Sequence, residues 1–431
     1  MIREYKDSGI EWIGRIPKDW DTCKLNYVYR FQTGATPPTN IGAYFDGNIK
    51  WASIADLKTK VIYDTAKRLS KEGVEKCSMN ISPKGSLMYS FKLSVGTVSF
   101  CGEDMYTNEA IATFLNGFGY LPYLYYMAPL AIIQNANYNI YGAPILNQEL
   151  IKGAKIIVPP LAEQQRIAEY LDGKCEEIDG LIALQEKMIA HLTDYKQSVI
   201  TEAVTKGLNQ DVQFVPSGID WIGDIPEHWG MQRLKTLGWT QNGISQSGDY
   251  FGEDFAYPFV SYSDAYKNYS IPYPEGRANS TDKDRRTYSL IEGDVLFTRT
   301  SETIEEIGYS STCLETIKNA VYSGFLIRFR PTSDKLYKGY SKYYFRSQVH
   351  RAYFVKQMNI VTRASLGQDL LKNLIVLLPP LAEQLAIAKL LDTKCGEIDK
   401  LIATKLQKIE TLKAYKKSII YEAVTGKIQI Y

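Results

Sequence analysis

The sequence has no apolar run near the ~20 residues that a bilayer span requires, no Cys-x-x-Cys pair, and only three histidines in 431 residues. The first absence excludes a membrane-spanning helix. The start, MIREYKDSGIEWIG, is charged throughout and lacks the basic head and apolar core of an export signal, so a soluble, cytoplasmic chain is expected. Cys23, Cys77, Cys101, Cys175, Cys313 and Cys395 lie far apart, which fits buried thiols in a reducing compartment and not a zinc site or disulfide framework. His191, His228 and His350 have no second His or carboxylate at ligand spacing and are read as structural or solvent-facing. There is no G-x-x-x-x-G-K-[ST] loop and no G-x-G-x-x-G after a strand, so neither ATP nor a dinucleotide has a seat. Pro-Pro pairs at 37–38, 159–160 and 379–380 lack the preceding Asn or Asp and following aromatic with which an amino-methyltransferase grips a flipped base. No cofactor, metal or catalytic site is therefore expected on this chain.

What is present is enough apolar material, 45%, to fill more than one core, and a frame written twice. SGIEWIGRIPKDW (8–20) returns as SGIDWIGDIPEHW (217–229). Residues 159–205, PPLAEQQRIAEYLDGKCEEIDGLIA to SVITEAVT, return at 379–425 as PPLAEQLAIAKLLDTKCGEIDKLIA to SIIYEAVT. More than half of the paired positions are identical, whereas the stretches between, 21–157 and 230–377, have almost nothing in common. Drift after duplication should blur frame and contents alike. A kept frame around changed contents suggests one task performed at two places with two specificities.

Each PPLAEQ segment reads as a long helix. The Pro pair stops the preceding strand-like run and is tolerated only up to the first helical position; Glu163 and Glu383 place negative charge in the first turn, and Gly207 and Gly426 supply the stops. Leu171, Ile178 and Leu192 recur at seven or twice seven with Cys175 and Ile182 between them, and Leu391, Ile398 and Leu412 do so with Cys395 and Ile402. Two such stripes are expected to pack as an antiparallel coiled coil, each helix roughly 65 Å long at ~1.5 Å per residue. The expected architecture is α+β and pseudo-two-fold symmetric. It has two α/β domains with curved, mixed β-sheets, separated by the two helices: 1–157, a first domain; 158–207, a central spacer helix; 208–377, a linker and second domain; 378–431, a distal helix.

Net charge is +2 overall and carries no message until divided by region. Residues 21–157 hold 13 Lys plus Arg against 10 acids and residues 230–377 hold 19 against 15, while 208–229 has four acids and no base. Both variable regions are net positive. Their short β-like runs are separated by turn dipeptides, and polar loops recur at matched places: FQTGATPPTN with QNGISQSGDYF, SFKLSVG with TRTSETIEEIG, and NANYNIYGAPILNQ with MNIVTRASLGQD. Short polar side chains with Arg, Lys, Asn and Gln on loops suit the donor and acceptor patterns of base edges.

The order SGI-[DE]-WIG…IP…W, variable region, PPLAEQ…IA…LD…EID…EAVT, and then the whole again, resembles the specificity subunit of type I restriction-modification systems, over nearly the entire chain. The resemblance implies a non-catalytic subunit whose variable regions are target recognition domains, each reading half of a split, asymmetric site in double-stranded DNA. The helices would set the unread gap. Two methyltransferase (M) subunits would dock on the helices and domains, restriction/translocase (R) subunits would join them, and S-adenosylmethionine, ATP and magnesium would sit on those partners. Loop placement and side-chain type then single out Thr36, Lys50, Lys92 and Tyr141 in the first domain, and Ser247, Arg299, Ser301, Arg363 and Gln368 in the second, for DNA contact. Leu171, Ile178, Ile182, Leu192, Leu391, Ile398, Ile402 and Leu412 would form the coiled-coil and partner interface. The competing reading is a two-domain protein-interaction scaffold with a helical spacer, mildly favoured by the near-neutral total charge.

Overall fold

Both Pro-Pro pairs of the repeated frame stand where a strand ends and a helix begins. Strands Lys155–Val158 and Ile375–Leu378 lead into helices Leu161–Lys206 and Leu381–Val424. Gln164 and Gln384 turn back to donate to the Pro159 and Pro379 carbonyls at 2.7 and 2.9 Å, which ties each helix start to its Pro pair. Gly207 and Gly426 end the helices at φ of +74° and +70°, a region that favours glycine. At Gly426 space adds to this requirement, because a β-carbon would fall 2.5 Å from Pro17.

This computed structural model describes residues 3–245, 248–252, 254–300, 306–358 and 366–430. Contacts divide the chain into two units, residues 1–184 with 408–431 and residues 185–407, so each long helix contributes one part to each unit.

In the first unit, strand Asp21–Lys24 pairs antiparallel with Lys155–Val158, so the variable region leaves and returns at one place. Between them a five-stranded sheet runs in the order Phe31–Thr33, Ile111–Phe114, Leu87–Ser90, Val98–Cys101, Val61–Ile62, antiparallel except for its last pair. A three-stranded sheet orders Tyr106–Thr107, Ile49–Ala52 and Lys67–Leu69, its first pair parallel. The central strands alternate between two cores. Leu87, Tyr89, Ala112 and Phe114 join the main core, while Met88 and Ile111 face a smaller one. Both faces are thus covered, which explains runs such as LMYS in which every residue is buried.

The second unit has the same plan from unrelated sequence. Gly230–Arg233 pairs with Ile375–Leu378. A four-stranded sheet orders Gly238–Asn242, Leu326–Pro331, Val295–Thr298 and Ser310–Thr312, and a three-stranded one orders Arg277–Ala278, Tyr257–Val260 and Val321–Tyr322, its last pair parallel. Val295, Phe297, Ile327 and Phe329 enter the main core, Leu296 and Leu326 a second.

The helices meet the domains through repeated contacts. In the first unit Leu171, Cys175 and Ile178 pack in one core with Ile419 and Val424, and Lys416 pairs with Asp179 at 2.7 Å. In the second, Leu391 and Cys395 pack with Ile200 and Val204, and Lys196 pairs with Asp399 at 2.7 Å. The start of one helix lies beside the end of the other in both units, so the pair is antiparallel. The conserved spelling of the frame has a physical cause here: Trp20 Nε1 donates to Glu163 at 2.8 Å and Trp229 Nε1 to Glu383 at 3.0 Å. These carboxylates complement the helix dipole and also hold the indole of the WIG…IP…W segment. Arg3 joins Glu163 at 2.7 Å, and His228 joins Glu383 at 2.6 Å, a carboxylate partner invisible in the sequence spacing.

Candidate nucleic-acid interface

A glycine at the end of the first strand of each main sheet lets two backbones cross. At Gly34 a β-carbon would lie 1.7 Å from the Thr107 carbonyl oxygen, and at Gly243 one would lie 2.1 Å from that of Ser323. The next residue makes the same bond in each domain: Ala35 N to Thr107 O at 3.0 Å, Ile244 N to Tyr322 O at 2.9 Å. One step on, Asn108 N donates to Ala52 O and Ser323 N to Val260 O, both at 3.0 Å. Third, Phe91 N bonds Ala110 O at 3.0 Å, and Arg299 N bonds Phe325 O at 2.8 Å. Finally, Gln148 Nε2 reaches Thr33 Oγ1 at 3.1 Å and Gln368 Nε2 reaches Asn242 Oδ1 at 3.1 Å. Among the described residues, the first and third loops of each domain are thereby tied at the end of that strand, and the second is tied to Ala110 or Phe325.

The side chains on this common scaffold differ. The first domain places Thr36 against Glu109, where the second has Ser245 and Gly324, and the exposed Phe325 stands where the first has Ala110. Where the first has Phe91, the second has Arg299. Backbone bonds fix the loop and leave the side chains free to vary, which is the arrangement required of a reader whose target changes while its fold does not.

The type I restriction modification DNA specificity domain matches this chain twice, over residues 17–192 and 226–411. The chain belongs to this family. It is 26% identical over 321 residues to the MjaIX type I restriction enzyme specificity subunit of Methanocaldococcus jannaschii, spanning 70% of each chain. To the MjaVIII specificity subunit of the same organism it is 22% identical over 423 residues, 96% of this chain and 94% of the relative. Among solved structures, one of a type I R-M system in complex assembly and conformational transition covers 96% of the chain and 99% of its own at a TM-score of 0.71 and 17% identity. The HsdS subunit from Thermoanaerobacter tengcongensis covers 96% and 98% at 0.50, also 17% identical. Specificity subunits are the non-catalytic members of their systems, and no group of three or more His, Cys, Asp or Glu able to hold a metal occurs among the described residues.

Of the residues singled out for DNA contact in this specificity chain, Tyr141 is 88% exposed at a hairpin tip, and Lys92 is exposed in the loop after strand Leu87–Ser90. Thr36 is half-buried and bonded to Glu109. Lys50 points to an internal partner: its ammonium pairs with Glu103 and donates to the Tyr63 carbonyl at 2.7 Å. Arg299 is half-buried, its carbonyl accepting from Leu366 N at 2.7 Å, and Gln368 bridges Thr240 and Asn242. Ser247, Ser301 and Arg363 lie outside the described residues.

Regional charge is a coarser guide than its sign suggests. Arg328 is fully buried, donates to Gln241 at 2.6 Å and lies 4.7 Å from the Trp239 ring; burial pushes its pKa down. Arg330 is bidentate to the buried Asp294 at 2.6 and 2.7 Å. Arg346 donates to the carbonyls of Ala265, Tyr266, Asn268 and Ser310. These guanidiniums hold the second domain together and are not at the surface where phosphates would meet them. Sequence reading missed Gln148, the counterpart of Gln368, and Phe325, 60% exposed beside Arg299. The only sequence signal for Gln148 was its place at the end of the third loop.

On the helices, Leu171, Ile178, Leu391 and Ile398 are buried, whereas Ile182, Leu192, Ile402 and Leu412 are half-buried. Leu181, Leu184, Met188 and Tyr195 form an exposed apolar stripe on the first helix. No helix among the described residues is long and apolar enough to cross a membrane.

Proposed function

We propose that this chain reads a split, asymmetric site in double-stranded DNA, one half through residues 21–157 and the other through 230–377, and directs methylation and cleavage by partner subunits. The observation that carries the reading is the pair of equivalent loop scaffolds, pinned by Gly34 and Gly243 and by Gln148 and Gln368, that display unlike side chains. Exposed apolar residues on the first helix support docking of two M subunits, and R subunits complete the complex. S-adenosylmethionine, ATP and magnesium belong to those partners, which act with this chain on cytoplasmic DNA. The scaffold alternative gives no reason for equivalent loops with divergent contents.

Gel shift of the chain co-expressed with its methyltransferase partner, at two salt concentrations, tests the reading. Sequence-dependent binding that weakens steeply with salt is expected. Equal affinity for all duplexes would end it.

A further inference from the structure

Just before the first long helix, strands Asn137–Tyr138 and Pro144–Ile145 form a small hairpin. Its tip is preformed. Asn139 Oδ1 accepts from the backbone nitrogens of Tyr141 and Ala143, both at 2.9 Å; Asn139 N donates to Ala143 O at 3.0 Å; and Gly142 takes φ of +75° and donates to Asn139 O at 2.9 Å. An Asn side chain that closes its own turn fixes the loop without help from neighbours. The root is anchored as well, through Asn135 Nδ2 to Leu150 O at 2.6 Å and Gln148 to Thr33.

This rigid mount carries apolar groups into solvent. Ile140 is 90% exposed, Tyr141 88% and Tyr138 63%. Nothing in the folding of the domain rewards that arrangement, since folding gains by covering an Ile or aromatic side chain and not by exposing it. A reward on binding is implied. The chemistry of the partner follows from what surrounds the tip. Residues 133–148 contain no charged side chain but four Asn and two Gln, and the following Glu149 is paired with Lys152 at 2.8 Å. A polyanion therefore meets no carboxylate on the hairpin, and the exposed amides of Gln134 and Asn137, which neither close the turn nor anchor its root, can meet base edges and sugars. The Gln148–Thr33 bond places the hairpin root against the strand that feeds the Thr36 loop.

We propose that Ile140 and Tyr141 are a wedge that enters the duplex between adjacent base pairs beside the first half-site, unstacks that step and bends the DNA. The inference rests on the DNA-reading function and adds a determinant to it. A step that opens readily, such as pyrimidine–purine, is favoured at a position where no hydrogen bond reads the bases.

The test uses the complex of this chain with its methyltransferase partner. Methylome sequencing first defines the site, and duplexes carrying that site then receive 2-aminopurine at successive positions in and beside the first half. Wild type should raise the fluorescence at one step and bend the duplex in an end-to-end energy-transfer assay. Ile140→Ser with Tyr141→Ser should abolish both signals and weaken binding about 10- to 100-fold, which is about 1.4–2.8 kcal/mol and the size of one lost stacking contact. Tyr141→Phe should keep the signal. Both substitutions lie on exposed side chains, so an unchanged melting curve is expected. Intact fluorescence and affinity in the double variant would overturn the wedge while leaving DNA reading in place. Failure of the variant to assemble with the partner would also overturn it, by making the tip a protein contact. A wild-type complex without any preferred site would remove DNA reading itself.

Discussion

The Tyr123 hydroxyl donates to the carbonyl oxygen of Val424 at 3.0 Å, across 301 positions of chain. Tyr340 makes the equivalent bond to Val204 at 3.2 Å. The last carbonyls of a helix have no partner within it, and at a buried end they must find one elsewhere. In each unit the recognition domain supplies that partner to the helix that ends beside it. The other helix is tied as well: Asp172, near its start, holds Tyr126 and Lys60 in the first unit, and Asp392 holds Tyr343 and Lys342 in the second, so each domain is fixed to both long helices, at the end of one and near the start of the other.

Tyr123→Phe should therefore destabilise the first unit by about 1–3 kcal/mol, because the ring stays while a buried carbonyl loses its donor. Tyr340→Phe should do the same to the second. Urea unfolding of each variant would measure the change. Midpoints equal to wild type would mean that the carbonyls are served by another donor.

His350 gives the second unit a pH dependence. Its ring is buried against Tyr344 at 4.6 Å, and that burial, with the Arg351 guanidinium beside it, pushes the imidazole down to about 3. The unfolded chain then binds a proton near pH 6.5 that the folded chain refuses until about 3. Stability from this group is complete above 6.5 and falls by about 1.4 kcal/mol per unit as pH drops through that window. His350→Phe keeps a ring and removes the titration, so the stability difference between variant and wild type should grow in the variant's favour from pH 7 to pH 4. A difference that stays constant would show that His350 does not titrate in this way.

Exchange of residues 21–157 for the matching region of a relative should change one half of the recognised sequence and leave the other. The pairing of Thr22 with Ile157 brings the two junctions together, so the exchange cuts the chain at neighbouring points of one ladder. Methylome sequencing would show the outcome, and a change in both halves would contradict independent reading.

The parts legible in the sequence are those set by short-range rules. Leu171 and Ile178 lie seven apart and are buried, as are Leu391 and Ile398, because a helix returns to the same face at that spacing. Gly207 and Gly426 could be read as stops for the same reason. Contacts made at long range could not be read. Nothing local joins Gln148 to Thr33, which is 115 residues away, or tells that Lys50 faces Glu103. The same limit applies to charge: Arg328 and Arg346 count as positive in any sum, and only the fold reveals that they are spent on carbonyls and a glutamine inside the domain.

The helices should act as a ruler. Inserting one heptad into both, after Ile189 and after Ile409, adds about 10 Å to each at ~1.5 Å per residue, close to three base pairs at ~34 Å per ten. Seven residues fall only ~20° short of two full helical turns, so the apolar stripes stay nearly in phase and the antiparallel pairs Lys416–Asp179 and Lys196–Asp399 can re-form. The two variable regions are untouched, so the two half-sites should keep their sequences. Three extra base pairs also rotate one half-site by about 100° around the duplex axis, and the complex must absorb that twist or lose affinity. Weaker binding with a preference for a longer gap is expected from selection on a library of randomised gap lengths. If the preferred gap is unchanged, the helices do not set the spacing, and the distance between half-sites must be fixed by the partner subunits instead.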